Sequence, residues 1–339
     1  MTILGIETSC DETSASVLAD GVVRSNIISS QLVHREYGGV VPELASRAHQ
    51  RFVVSIVDEA LRTAGIGRER LDGVAVTYGP GLVGALLVGL NFGKALAYGL
   101  GIPFIGVNHL EGHLYSNLLE EPKPRFPFLC LIVSGGHTLL VLVYKPFRYE
   151  VLGETLDDAA GEAYDKVAKM LGLGFPGGPM VDKFAQEGNP RFVKFPRSFL
   201  HEDNFDFSFS GIKTSVLYWL RDHGHLLNGG DPLAIDHQLR ADLCASFQAS
   251  MVDVLAGKTM RAVEKFCVDD VAVAGGVSAN SALRRTMELH AAERNFRLYI
   301  PRPEYCTDNG AMVALVGSMK LESGTTSGFD LNAAANLSL

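Results

Sequence analysis

The alternation of apolar and polar positions predicts the same order of elements in both halves of the chain. Short β-branched runs between small polar residues are typical of strands joined by tight turns, and longer runs with helical spacing predict helices. In the first half the predicted elements are strands at 2–6, 14–18 and 22–28, a helix at about 43–63, a strand at 73–77, a helix at 83–98, a strand at 103–107 and a helix that begins at Asn108.

The second half repeats this order. The predicted elements are strands at 128–133, 138–144 and 149–152, a helix at 155–171, a long helix at 238–266, a strand at 271–274, a helix from Ala279, a strand at 297–300 and a closing helix from Asn309. Residues from about 188 to 236 are rich in glycine, proline, phenylalanine and charge, and we interpret them as an insertion.

Both halves read β-β-β-α-β-α-β-α, which predicts an α/β fold with two similar lobes at residues 1–125 and 126–308. The closing helix, about 309–339, is a candidate to pack back on the first lobe. Ligands of open α/β sheets bind beyond the strand ends, so we expect a site in a cleft between the lobes. The small polar turns ETSCDETS and SGGHT resemble the phosphate-facing hairpins of the actin, Hsp70 and sugar-kinase superfamily, whose duplicated lobes are RNase H-like.

Composition narrows the class of protein further. The 339 residues are 47% hydrophobic and 20% charged, with a formal net charge of −8. This excludes a disordered or fibrous chain and nucleic-acid binding through a diffuse basic surface. Five cysteines without a C-x-x-C pair indicate the reduced thiols of a cytoplasmic protein. The longest apolar stretch, 82–107, is interrupted by Asn91, Lys94 and Pro103, so we expect no membrane span.

The segment NHLEGH contains the clearest candidate metal ligands. With Asn108 as N-cap, His109 and His113 lie one helical turn apart on one face, where both imidazoles can reach one ion. Two unrelated histidines on a helix face would show the same spacing. The order H-x-E-x-H differs from the H-E-x-x-H of zinc proteases, which counts against a metalloprotease.

A third ligand is needed, and Asp308 in YCTDNGA is the candidate. The residues alone favour a different interpretation, helix-start electrostatics. Thr307 would be the N-cap, and Asp308 would lie in the first turn, facing the positive end of the helix dipole.

Two glycine-rich turns are candidates for binding an anion. In SGGH, Ser134 to His137, the glycines allow positive φ angles and a close approach of backbone N–H groups to an anion or carbonyl. A plain hairpin turn would explain the same glycines. AGGVSAN, Ala274 to Asn280, lies where a strand passes into a helix, a context that favours nucleotide binding.

Three further positions have weaker signals. Asp165 falls on the polar stripe of its predicted helix, where it could pair with Lys169, and the residues alone favour a solvated face. Gly178 and Asp182, in FPGGPMVD, are typical of a loop followed by a helix start.

Together these motifs resemble one family over nearly the whole chain. GIETSCDET, NHLEGH, LIVSGGHT, the DDAAGEAYDKVAKMLGL helix with FPGGP, SFSGIKT, AGGVSAN and YCTDNGAM are similar, in this order, to the TsaD family of tRNA N6-adenosine threonylcarbamoyltransferases. SGGHT is similar to its bacterial branch. The resemblance implies transfer of a threonylcarbamoyl group from threonylcarbamoyl-AMP to N6 of adenosine 37 in tRNAs that read codons beginning with A, releasing AMP.

Alternatives on the same fold are a carbamoyltransferase or ATP-dependent kinase acting on a small molecule, and a non-enzymatic nucleotide-binding scaffold. For the site, the family resemblance implies that His109, His113 and Asp308 hold one divalent ion, Fe²⁺ or Zn²⁺. It implies that the adenylate is contacted by Ile132, Val133, Ser134, Gly135, Gly136, Asp165, Gly178, Asp182 and Asn280. It assigns no catalytic base, for which Asp11 and Glu12 on the first hairpin are candidates.

The same resemblance implies partners: tRNA, TsaB and TsaE in a complex, and TsaC as the source of the adenylate. We expect these interactions in the cytoplasm, away from a membrane. Because the chain is acidic, we expect tRNA to be bound by a restricted patch around Arg191, Lys194 and Arg197, or through the partner subunits. The predicted helix at 43–63 is a candidate for the contact with TsaB.

Overall fold

A computed structural model describes residues 1–31, 33–200, 202–225 and 235–339. Its contacts divide the chain into two units: unit 1 is Met1–Lys123 with Pro301–Leu339, and unit 2 is Pro124–Ile300. The boundaries predicted from the sequence lie after residues 125 and 308, a few residues later than these. Within the predicted insertion at 188–236, positions 201 and 226–234 lie outside the described residues.

Unit 1 is a five-stranded mixed sheet with helices. Its strands are β1 (Thr2–Glu7), β2 (Glu12–Ala19), β3 (Val22–Ser30), β4 (Gly73–Gly79) and β5 (Phe104–Asn108). Its helices are α1 (His34–Tyr37), α2 (Pro42–Ala64), α3 (Val83–Leu100), α4 (His109–Tyr115), α10 (Pro303–Cys306) and α11 (Gly310–Glu322). The strand order is β3-β2-β1-β4-β5, antiparallel from β3 to β1 and parallel from β1 to β5.

Unit 2 repeats this plan. Its strands are β6 (Phe128–Val133), β7 (Thr138–Lys145), β8 (Arg148–Glu154), β9 (Asp270–Ala274) and β10 (Arg297–Tyr299). Its helices are α5 (Ala160–Met170), α6 (Gly177–Ala185), α7 (Ser210–Asp222), α8 (His237–Phe266) and α9 (Ser281–Arg294). The order β8-β7-β6-β9-β10 matches that of unit 1 strand for strand, with the same senses. The predicted duplication is therefore confirmed.

One predicted helix start and one predicted N-cap are wrong, and local hydrogen bonds explain both. The helix predicted from Thr155 begins at Ala160, because Thr155 bridges to Phe207 and its hydroxyl donates to the carbonyl of Asp158. The closing helix is capped by Asn309, whose side chain accepts from the N–H of Met312 at 3.0 Å. Thr307 is therefore not the N-cap.

Each unit has its own apolar core. In unit 1, alternate residues of the central strands, such as Leu4 and Val76, pack with the buried face of α3. In unit 2, Leu131 and Val133 of β6 pack with Tyr164 and Phe247 of the helices. The periods of two and 3.6 residues in the sequence place these side chains on one face of each element.

No membrane span is expected in the apolar stretch 82–107, but helix α3 within it meets the length and composition of one. Its 18 residues, Val83–Leu100, are long and apolar enough by length and composition to cross a bilayer. A core helix of a globular protein passes the same test. Ala85, Leu90 and Ala97 of α3 are buried, and the helix packs on β4.

Helix α11 returns the chain to unit 1, where it packs against β1, β2 and β4. The contact is close at Gly310, whose N–H donates to Ser14 Oγ at 2.8 Å. A Cβ at this position would lie 2.6 Å from the backbone nitrogen of Ser16. The segment before α11 is thereby held beside α4.

Candidate functional site

The two histidines of NHLEGH are both buried at the start of α4. Strand β5 ends at Asn108, whose side-chain oxygen accepts from the N–H of Leu110 at 2.8 Å and caps the helix as predicted. His109 and His113 then lie one turn apart, with ring centroids separated by 4.7 Å. Their side chains are 7% and 0% exposed.

Asp308 lies opposite both histidines. Its Oδ1 is 3.5 Å from Nε2 of His109 and 3.1 Å from Nε2 of His113. Because Asn309 is the N-cap, Asp308 precedes α11 instead of lying in its first turn. All three ligand atoms lie within 4.8 Å of one another. The structure thus brings together the predicted metal ligands, and the interpretation of Asp308 as a first-turn acid is wrong.

Sequence reasoning missed Glu7, which contacts the other nitrogen of His109. Its Oε2 lies 3.1 Å from Nδ1 of His109, and the side chain is fully buried. Thr77 Oγ1 and the backbone N–H of Ser9 also donate to Glu7, at 2.7 and 2.5 Å. With Nδ1–H donated to Glu7, Nε2 of His109 carries the lone pair that can bind a metal. A carboxylate at the end of a buried strand was the available signal.

The electrostatics of this cluster fit a bound cation. Burial lowers the pKa of His109, but the charges of Asp308 and Glu7 outweigh it and raise the pKa to about 9. The carboxylates of Asp308 and Glu7 therefore stabilise a positive charge at the imidazole of His109. A divalent cation can supply this charge in place of the proton. Two imidazole nitrogens and one carboxylate suit zinc or ferrous iron and leave coordination positions free. Asp308, 20% exposed, leaves an open side.

The candidate bases on the first hairpin lie near this charge. Burial, followed by the charges of Asp308 and Asp11, raises the pKa of Glu12 to about 9. A raised pKa disfavours the ionised form of Glu12 that a general base needs.

The SGGH turn connects β6 to β7 as predicted, and Ser134 and His137 close it by hydrogen bonds of 2.8 and 3.1 Å. The positive φ that glycine allows is not used here, since neither Gly135 nor Gly136 has a φ in the left-handed region. The lack of side chains at Gly135 and Gly136 instead leaves the backbone of the turn open to a ligand. A Cβ at either glycine would meet no atom within 4 Å, and the described residues provide no acceptor for their N–H groups.

Ile132 and Val133 have fully buried side chains in β6, so they could offer a ligand only backbone atoms. Beside them, Gly275 follows β9 with φ of +87°, a conformation that favours glycine, and its Cα faces the carbonyl of Val133. The AGGVSAN loop therefore packs against the end of β6, next to the SGGH turn.

Asp165 is engaged with the FPGGP segment. Its Oδ1 accepts from the N–H of Gly177 at 2.6 Å, at the first turn of α6, where the helix dipole favours a carboxylate. The next residue, Gly178, has open space at its Cβ position. The partial exposure of Asp165 agrees with neither a fully solvated face nor a buried one.

Asp182 and Asn280 are both held at the other end of the AGGVSAN loop, by hydrogen bonds to Ser281 and Gln248. Asp182 accepts from Oγ of Ser281 at 2.8 Å and from its N–H at 3.1 Å. Asn280 caps α9, and both side chains contact Gln248, which sequence reasoning missed. The AGGVSAN loop thus links the end of β6 at Val133 with Asp182.

The family model of TsaD, tRNA N6-adenosine threonylcarbamoyltransferase, matches residues 22–315. The tRNA N6-adenosine threonylcarbamoyltransferase of Salinibacter ruber is 56% identical over 328 residues, covering 96% of each chain. The chain belongs to the TsaD family. It is accordingly a tRNA N6-adenosine threonylcarbamoyltransferase, an enzyme of tRNA t6A modification.

Solved structures that match this chain at low sequence identity show the fold alone. Full-length HypF, in its phosphate- and nucleotide-bound form, matches with a TM-score of 0.62 at 13% identity, covering 96% of this chain and 56% of HypF. The (R)-2-hydroxyglutaryl-CoA dehydratase component A of Acidaminococcus fermentans matches with a TM-score of 0.56 at 15% identity, covering 95% and 99%. These matches and the two equivalent sheets confirm the predicted α/β fold with two similar units.

Proposed function

We propose that this TsaD-family enzyme uses threonylcarbamoyl-AMP as donor and N6 of adenosine 37 as acceptor, in tRNAs that read codons beginning with A. We propose further that one divalent ion, Fe²⁺ or Zn²⁺, is held by His109, His113 and Asp308. The observation that carries this proposal is the convergence of Nε2, Nε2 and Oδ1 of these residues within 4.8 Å. The kinase and scaffold alternatives give no reason for such a cluster.

The chemistry explains why positioning matters. The N6 lone pair attacks the carbonyl carbon of the mixed anhydride, the bond from this carbon to the phosphate oxygen breaks, and AMP leaves with the electron pair while N6 loses a proton. AMP is a good leaving group and the adenine amine a poor nucleophile, so rate comes from orienting both and stabilising the developing charge.

In unit 1, the chain's own residues prepare the ligand set. Glu7 fixes the tautomer of His109, and the cap of α11 holds Asp308 in front of both rings. A divalent ion bound there would act as a Lewis acid toward substrate oxygens.

In unit 2, we assign the adenylate to the open glycine turns. The N–H groups of Gly135 and Gly136 are available to a phosphate or developing oxyanion, with backbone atoms of Ile132, Val133 and Ser134 beside them. Asp165, Gly178, Asp182 and Asn280 would orient the nucleotide, and a carboxylate suits the ribose hydroxyls.

The proposal includes tRNA binding and partners in the cytoplasm. Arg191 and Lys194 are exposed and suit tRNA phosphates. Arg197 is a weaker candidate because its guanidinium pairs with Asp253 at 2.9 Å and donates to Phe195 O. By family resemblance, TsaB and TsaE complete the complex and TsaC supplies the adenylate.

A double substitution tests the metal and the reaction together. We expect His109→Ala with His113→Ala to remove the bound metal and to lower t6A formation by about 100-fold or more, since a Lewis acid contributes several kcal/mol. Metal is measured by mass spectrometry of the purified protein, and t6A by nucleoside analysis of tRNA after reconstitution with threonylcarbamoyl-AMP.

The matched control is His237→Ala with His290→Ala, two histidines of unit 2 that are 63% and 28% exposed. It should retain both metal and activity. Undiminished t6A formation by the metal-free double variant would overturn the metal assignment, and absence of t6A with the wild-type protein would overturn the proposed donor.

A further inference from the structure

Gln248, in the middle of the long helix α8, forms hydrogen bonds through both the oxygen and the nitrogen of its side-chain amide. Gln248 is 4% exposed on a helix whose neighbouring buried positions include Phe247 and Met251. A buried amide is costly unless its donor and acceptor are both paired. The partners of Gln248 are two residues assigned above to the adenylate, Asp182 and Asn280.

The direction of every hydrogen bond in this group follows from fixed donors. The side-chain oxygen of Asn280 accepts from the backbone N–H groups of Ala282 and Leu283, at 3.1 and 3.0 Å. Its Nδ2 must therefore face Gln248, and it donates to Oε1 at 2.7 Å. Nε2 of Gln248 then donates to Oδ1 of Asp182 at 3.0 Å. A flipped amide would place two donors or two acceptors against each other.

The group ties three elements of unit 2 into one array. Asp182 lies on α6, Gln248 on α8, and Asn280 at the N-terminus of α9. The hydroxyl and N–H of Ser281 hold Asp182 from the other side, at 2.8 and 3.1 Å. Gln248 is the member that joins the carboxylate to the cap of α9, and removing it would leave Asp182 held by Ser281 alone among these donors.

We propose that Gln248 is a positioning residue of the nucleotide subsite, holding the carboxylate of Asp182 and the amide of Asn280 in the arrangement that binds the adenylate. The proposal rests on the proposed function, since it takes both residues as adenylate contacts. Pre-orientation of this kind lowers the cost of ordering the site when the ligand binds.

The first variant is Gln248→Met, which keeps the length of the side chain and removes both hydrogen bonds. We expect the Kd for AMP and the KM for threonylcarbamoyl-AMP to rise about 10-fold, the size expected for losing buried polar partners, with kcat within about threefold of the wild type. AMP binding is measured by calorimetry well below the melting temperature. The control is Gln238→Met, at an exposed position of the same helix.

A second pair of variants tests the polarity of the array. Gln248→Glu keeps an acceptor for Asn280 but sets a carboxylate against Asp182, and AMP binding should weaken further. Adding Asp182→Asn restores a donor toward position 248, so the double variant should have a higher melting temperature than Gln248→Glu alone. AMP binding is not the measure for this pair, because Asp182→Asn also removes a carboxylate assigned to the adenylate. A merely structural role of Gln248 would lower the melting temperature and leave the Kd and KM of the folded protein unchanged.

The outcomes separate the two proposals. If the wild-type protein binds AMP and forms t6A but Gln248→Met has the same Kd and KM, the positioning role is wrong and the proposed function stands. If the melting temperature of the double variant is no higher than that of Gln248→Glu, the assigned hydrogen-bond direction is wrong. If the wild-type protein binds no AMP and forms no t6A from threonylcarbamoyl-AMP, the proposed function fails and the role of Gln248 fails with it.

Discussion

Glu7 and His109 are distant in sequence and adjacent in unit 1, and their contact decides which imidazole nitrogen faces Asp308. Glu7 accepts hydrogen bonds from Ser9, Thr77 and His109, so its orientation is fully determined. A carboxylate in this position fixes the ring and increases the basicity of the metal-binding nitrogen. Burial is the largest single influence on the Glu7 carboxyl and raises its pKa. The charge of His109 and its hydrogen bond to Glu7 act in the opposite direction, and the pKa of Glu7 is lowered overall.

We expect Glu7→Gln to weaken metal binding about 10- to 100-fold, the usual effect of losing such a partner. Oε1 accepts from Ser9 and Oε2 accepts from both Thr77 and His109, so the NH₂ of a glutamine would face one or two donors and at least one hydrogen bond is lost. Competition with a chromogenic chelator for Zn²⁺ gives the affinity without reference to activity. Glu293→Gln, at a residue 67% exposed, is the control. Equal zinc affinity of Glu7→Gln and the wild type would show that Glu7 does not position His109.

At the scale of elements, the N-terminus of α5 packs against the SGGH turn. The N–H of Gly161 donates to the carbonyl of Ser134 at 3.1 Å, and the N–H of Ala160 to Thr138 Oγ1 at 3.0 Å. A Cβ on Gly161 would lie 2.6 Å from Ser134 O and 2.8 Å from Cα of Gly135. The turn and the helix can keep this contact only if residue 161 has no side chain.

Gly161→Ala should therefore displace the turn and destabilise unit 2 by about 1–3 kcal/mol, as overpacking against backbone atoms does. Because the N–H groups of Gly135 and Gly136 move with the turn, AMP affinity should fall as well. Chemical denaturation gives the stability and calorimetry the affinity. Gly99→Ala, in α3 with no atom within 4 Å of the new Cβ, should leave both unchanged or raise stability slightly. A Gly161→Ala protein with wild-type stability and AMP affinity would contradict this account.

At the scale of the molecule, unit 1 presents an exposed groove between α2 and α3 that suits the proposed TsaB contact. The helices approach closely where Gly84 faces Ser46, since a Cβ on Gly84 would lie 2.5 Å from Ser46 Oγ. Val54 and Leu87 line the groove and are 62% and 41% exposed. Exposed apolar side chains next to the ion pair of Glu43 and Arg47 are the composition expected of an interface core with a polar rim.

Leu87→Asp should weaken TsaB binding at least about 10-fold, because a charge would be buried in the interface. The position is exposed in the single chain, so the melting temperature should change little. The measurement is titration calorimetry with purified TsaB, and the control is Leu289→Asp on α9 of unit 2, at a residue 63% exposed. Unchanged TsaB affinity would exclude this groove as the contact.

The sequence alone determined the element types and their duplicated order. Apolar periodicity depends on local geometry, so β1 to β10 and the long helices followed from the pattern, and the local cap of Asn108 placed both histidines on one face of α4. The family and its activity followed from motifs preserved in order along the chain.

Only the tertiary structure decided which distant groups meet. Asp308 reaches the histidines because α11 packs back on unit 1 and is capped by Asn309, whereas the sequence near Asp308 favours a first-turn acid. Gln248 has no local signature, and the signal of Glu7, a carboxylate at the end of a buried strand, does not identify its partners. Such groups become informative only when the residues around them are known. Hydrogen bonds between residues far apart in the chain depend on how the elements pack, and sequence spacing does not record that packing.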